Sequence, residues 1–138
     1  MTAIALTAAQ ISPVNEFEYE AWTLRAGVAI TKGQAVAINT TTGLAILADA
    51  STGSDNNVRG IAMNDAAIGE PVTCMTHGSL AGYTLSGMAY DAPVYVSNTA
   101  GGLDTGAGDV SLVIGRVKPM HDGATPSKVL YVNAPAIM

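Results

Sequence analysis

Apolar and polar positions alternate in short runs along this chain, and the most legible stretch is residues 58–78. Val58, Ile61 and Met63 suit a pleated, half-buried ribbon, while Asn64-Asp65 and Gly69-Glu70-Pro71 carry turn chemistry. From Val72 the pattern alternates, with Val72, Cys74 and Thr76 on one side and Thr73, Met75 and His77 on the other. The expectation is strand, tight connection, strand, ending at Gly78. Elsewhere the same period recurs. Glu16, Glu18 and Glu20 alternate with Phe17, Tyr19 and Ala21, as in a strand with one wet face. Residues 35–39 and 44–48 flank the turn at residues 40–43 and predict a hairpin, with Val36 and Ile38 on one face. Residues 49–57 are polar and predict an exposed loop.

Further along, residues 79–84 predict a separate strand with glycines at bends. Residues 93–97 predict a strong strand whose Pro93 sits at its start, where a missing N–H is tolerated. A turn at residues 98–102 leads into a Gly-rich, mobile segment at residues 103–109. Residues 110–117 and 128–132 predict the last two strands, flanking a loop at residues 119–127, and residues 133–138 form a short apolar tail. Short strands spaced by Gly, Pro and Asn turns predict an all-β fold, a small barrel or sandwich with little helix.

Before the first strand lies a stretch of different character. Residues 1–11 carry no charge, and Pro13 and Asn15 break any regular element. A helix around residues 7–10 is too short to stand alone. The chain therefore divides into an extended N-terminal arm, residues 1–16, and a single β-rich domain, residues 17–138. The arm reaches about 50 Å when extended. It either adds to a sheet edge of a partner or folds back over its own barrel. Its apolar residues Ile4, Leu6, Ile11 and Val14 are the candidate contacts. Trp22, the single tryptophan, and Tyr95 are candidates for a core or subunit contact.

Composition narrows the function classes. At 138 residues and 14.0 kDa the chain makes one domain, large enough to bury roughly 68% of its unfolded surface without disulfide or metal. Its one cysteine excludes an internal disulfide framework, and a buried apolar thiol is the default for Cys74. The formal charge of −5 argues against nucleic acid, whose backbone is bound by clustered Lys and Arg. Charged residues make up 12% of the chain, against about 25% in ordinary domains. Either much of the surface lies against protein, or Ser, Thr, Asn and Gly keep it wet. No apolar run reaches the ~18 residues of a membrane span. The start has no basic n-region, so no secretory signal is expected.

The usual catalytic constellations are missing. Cys74 and His77, three apart on a strand, point to opposite faces and cannot share a metal or a proton. His121-Asp122-Gly123 reads as a turn with a solvated histidine. Gly106-Ala107-Gly108 lacks the third glycine and the helix of a dinucleotide loop. Glu16, Glu18 and Glu20 read as a solvated face rather than a glycosidase pair. Asn39-Thr40-Thr41 matches a glycosylation triplet of the kind that occurs by chance. No catalytic residue, metal ligand or cofactor is predicted.

Gly60-Ile61-Ala62-Met63, Asp65-Ala66-Ala67, Gly69-Glu70-Pro71-Val72 and Gly78 resemble the motifs of tailed-bacteriophage capsid decoration, or cement, proteins. The likeness extends to Thr31-Lys32-Gly33-Gln34-Ala35-Val36, where Gln34 replaces a commoner acid, and to Ala92-Pro93-Val94-Tyr95-Val96. Ala100-Gly101-Gly102-Leu103 and Ile114-Gly115-Arg116-Val117 continue it. It spans about residues 25–132 and leaves the arm and residues 17–22 unmatched. The resemblance implies a β-tulip-like fold. It implies homotrimers on the outer surface of an expanded phage head in the virion, made in the host cytoplasm, with no nucleic acid or membrane partner. It implies that each copy bridges neighbouring major capsid protein subunits, with the arm pairing with a capsid strand. Alternatives are a β-rich carrier or fibre/adhesion module, for which Lys32 is the one lysine in a suitable turn, and an enzyme on a trimeric β fold such as a nucleotide hydrolase. The latter needs a constellation that Tyr83 and Tyr90 do not provide.

Overall fold

The computed structural model describes residues 3–7, 10–14, 19–51, 57–120 and 124–133. Among them are ten strands and no helix, so the chain is all-β as the alternation predicts. The strands are β1 (Ser12–Pro13), β2 (Glu20–Arg25), β3 (Ala35–Ile38), β4 (Ala45–Leu47), β5 (Val58–Ala62), β6 (Pro71–Ala81), β7 (Pro93–Val96), β8 (Leu103–Asp104), β9 (Val113–Pro119) and β10 (Lys128–Asn133). They form one curled sheet in the order β4-β3-β5-β6-β10-β9-β7-β8, with β1 and β2 also paired to β6. The two expected hairpins, β3 with β4 and β5 with β6, are both antiparallel pairs.

The long strand β6 organises the rest. Its first half lies between β5 and β2, its second half between β10 and β1. It does not end at Gly78, as the pattern suggested, but runs on to Ala81, so the expected break is a bend inside one strand. Gly78 sits at φ 142°, where a Cβ would lie 2.5 Å from the Cβ of Tyr19. The glycine therefore serves close approach rather than termination.

The strand also divides two cores. Val72 and Cys74 pack in a smaller cluster with Ala26, Ile30, Val36, Ala45, Ala62 and Ala66. Met75 and Leu80 belong to a larger one with Ile11, Ile61, Val94, Val96, Ile114, Leu130 and Val132. Met75 and Leu80 are five residues apart yet share a core, so the pleat inverts between them. A register shift opposite Glu20/Ala21, where Glu20 meets His77 and Ala21 meets Met75, is the bulge that inverts it.

The N-terminal segment is a stave of this sheet. The Ile4 N–H donates to the Leu103 carbonyl (3.0 Å), the Thr84 N–H to Ala5 (2.9 Å), and the Thr7 N–H to Gly82 (2.8 Å). Residues 3–7 thus join β8 to the continuation of β6 and close the barrel. Ile11 then drops into the larger core at 1% exposure, and Ser12 and Pro13 pair with Ala81 and Leu80. The described residues of the arm, 3–7 and 10–14, fold back over their own domain. Burying Ile11 and pairing the backbone offset the entropy of ordering the segment. The buried Tyr83 locks the neighbouring turn by donating its hydroxyl to the Gly33 carbonyl (2.5 Å).

Two loop expectations change. Residues 103–109 begin with β8, whose Leu103 is buried opposite Val96. The loop at residues 49–57 starts with a buried Ala50, whose N–H donates to Ser97. The charges at Glu16 and Glu18, Phe17, His121 and the apolar tail beyond Asn133 fall outside the described residues.

Candidate interaction surface

The sheet has one face turned away from the larger core, and alternation dictates what it carries. In β10, Leu130 and Val132 point into the core, so Tyr131 between them points out. In β7, Val94 and Val96 point in and Tyr95 points out, half-buried. In β2, Trp22 lies opposite Cys74 and so projects on the side of the smaller cluster. The bulge at His77 brings that side into line with the outward face of the second half of β6. Trp22, Tyr131 and Tyr95 thereby all lie on the side of the sheet turned away from the larger core.

Trp22 is not a core residue: it is 46% exposed, which excludes the first of its two expected roles and leaves a contact with another molecule open. Its ring is backed by the guanidinium of Arg59, 5.6 Å from the ring centroid. Arg59 is only 8% exposed, and burial pulls its pKa down from the usual 12.5; a guanidinium so placed stays charged. The cation is close enough to the indole for a cation–π contact. The stack pre-orients a large flat side chain at little further entropy cost.

Next along the face, His77 Nδ1 lies 3.5 Å from Glu20 Oε2 and 3.3 Å from Thr76 Oγ1. The Thr76 hydroxyl donates to the Glu20 carbonyl (3.3 Å), which fastens β2 across the bulge. Beyond it, Lys118 Nζ donates to Ser79 Oγ (2.8 Å) and lies 5.8 Å from the Tyr131 ring centroid. Arg116 Nη1 donates to the Asp91 carbonyl (2.8 Å). The face therefore repeats one device, an aromatic ring beside a cation, at both of its ends. Trp, Tyr and Arg are the side chains that carry most of the energy of protein–protein contacts. Among the described residues β2 pairs with β6 alone, so its other edge presents free backbone groups beside Trp22.

The arm candidates fare differently. Ile11 is a correction: it serves the chain's own core and is shielded from any partner. Ile4 is half-buried against that core. Val14 is half-buried, with its N–H donating to Ser79 (2.9 Å). Leu6 alone keeps a substantially exposed side chain.

Cys74 is buried and His77 exposed, and the bulge puts both on the side turned from the larger core, so the expectation that they point to opposite faces is corrected. Among the described residues no group of three or more His, Cys, Asp or Glu is placed to hold a metal ion. Burial pushes the Cys74 thiol up from 9.0 to about 12. Stability from the protonated, buried thiol is present below pH 9 and is lost as pH rises from there toward 12, because the unfolded chain ionises first. At about pH 8 a thiol reagent is expected to label Cys74 only after denaturant unfolds the chain. Labelling of the native protein at the rate of a free thiol would contradict this placement.

No family model, curated protein or solved structure matches this chain.

Proposed function

We propose that this chain is a non-enzymatic decoration protein that seats on the outside of an expanded phage head as a homotrimer and clamps neighbouring major capsid protein subunits. The observation that carries the reading is the half-exposed Trp22, stacked on the nearly buried Arg59 at the open edge of β2. A domain of low charge content that spends its only tryptophan on its surface is built to be covered. The ordered motifs of residues 25–132 supply the kind of partner. The contact is assigned to the outer face and the β2 edge. The described residues of the arm, expected to pair with a capsid strand, bond to their own sheet through Ile4, Ala5, Thr7 and Val14 and pair with β6 at Ser12 and Pro13.

The test is retention on purified, undecorated expanded heads. The wild-type chain is expected to co-sediment and to raise the temperature at which the heads burst. Trp22→Ala is expected to fold normally and bind roughly thirtyfold more weakly, the effect of losing about 2 kcal/mol at an interface anchor. Equal retention of the variant would remove the outer face from the proposal. Failure of the wild type to attach would remove the capsid.

A further inference from the structure

The far end of the outer face holds a shallow cavity of about 300 Å³, lined by Asp91, Arg116, Val117, Lys118, Pro119 and Tyr131. Cations are scarce in this chain, 6 against 11 carboxylates, yet three of the six, Arg116, Lys118 and Lys128, lie on β9 and β10. Lys128 is engaged within the chain, where its ammonium donates to the Met88 carbonyl and lies 5.0 Å from the Tyr90 ring. Arg116 and Lys118 do not turn inward. Each uses one donor to steady itself, on the Asp91 carbonyl and on Ser79 Oγ, and has others left. No carboxylate of the described residues lies within 4.0 Å of either cation.

We infer that this cavity receives an Asp or Glu side chain from an acidic segment of a partner protein. The inference rests on the reading that the outer face docks on protein, and it names what the partner presents there. Two steadied cations offer charge-assisted hydrogen bonds to one carboxylate. The Tyr131 hydroxyl adds a further donor, and Pro119 faces the methylenes. Asp91 also lines the cavity, so its local balance is two cations to one carboxylate, in a chain whose formal charge is −5. An acidic segment is therefore repelled by the molecule at large and attracted here, which fixes the docking orientation. A nucleic-acid backbone is a poorer match, because stable binding draws on roughly 6–10 phosphate contacts.

The experiment is an amide chemical-shift titration of the full chain with a ten-residue polyglutamate peptide at low salt. Polyglutamine and a ten-nucleotide oligothymidylate serve as the other arms. Expected are saturable shifts at Asp91, residues 116–118 and Tyr131 with polyglutamate and none with polyglutamine. The double variant Arg116→Gln/Lys118→Gln is expected to bind the peptide about tenfold more weakly or worse. Equal shifts with both peptides, tighter binding of the oligonucleotide, or an undiminished double variant would each overturn the inference. If the peptide binds in the cavity while the chain fails to attach to heads, the capsid reading falls and the acidic-segment site stands. If the chain attaches to heads and the peptide is ignored, the reverse holds.

Discussion

Deleting residues 1–13 is expected to unfold the domain or lower its melting temperature by roughly 10 °C or more. The segment is a structural stave. Truncating one buried aliphatic side chain such as Ile11 costs about 2–5 kcal/mol, against a total stability of roughly 5–15 kcal/mol for a domain. The deletion also strips the hydrogen bonds to Leu103, Gly82 and Thr84 and the pairing of Ser12 and Pro13 with β6. That opens the larger core to water and leaves two strand edges bare. Circular dichroism melts read the effect directly. A cooperative transition within a couple of degrees of wild type would mean that the arm is an accessory to the fold.

The second large effect is expected at Gly60, in the strand that pairs with the middle of β6. A Cβ there would sit 2.0 Å from the Met75 carbonyl oxygen and 2.7 Å from its carbon, on a residue at φ 153°. Both obstructing atoms are backbone, so no side chain can swing away. The register between β3 and β5 shifts at this point, with Val36 opposite Gly60 and Ala37 opposite Val58. The glycine is thus part of the bulge that curls the sheet. Gly60→Ala is expected to cost about 3 kcal/mol or more. Gly43→Ala, at φ 73° but with open space around it, is expected to cost only about 1 kcal/mol. Denaturant midpoints separate the two, and similar values would deny that close approach matters at Gly60.

These two sites also mark where sequence reasoning succeeds and where it stops. Strands with a two-residue period were legible wherever one face is core: β3, β4, β5 and β7 fall within the expected runs, and β10 runs one residue past its own. The tight pairing of β5 with β6 followed from its turn residues. Gly78 misled because a glycine that ends a strand and one that lets another chain segment press against it look alike in sequence. The arm's course was open because residues 3–7 are held mostly by backbone bonds, which leave no side-chain signature. Ile11 could have been suspected as the one β-branched anchor just before Pro13.

The outer face was half legible. Trp22 stood out as the lone tryptophan, and Tyr95 by its strand. Tyr131, between Leu130 and Val132, was readable from alternation and was missed. Arg59 was not readable, because its contact with Trp22 joins strands that are separated by β6 in the sheet order. The pairing of Lys118 with Ser79 and Tyr131 depends on the register of three strands, which periodicity alone does not set.

Hydrogen–deuterium exchange of the full chain, free and bound to isolated expanded heads, tests the docking surface most directly. Protection on binding is expected along Glu20–Arg25, around His77 and Ser79, and at Arg116, Lys118 and Tyr131, with residues 3–7 already protected in the free chain by their own sheet. Protection confined to the opposite side of the barrel, or appearing first in residues 3–7 on binding, would contradict a molecule that docks through its outer face and keeps its arm for itself.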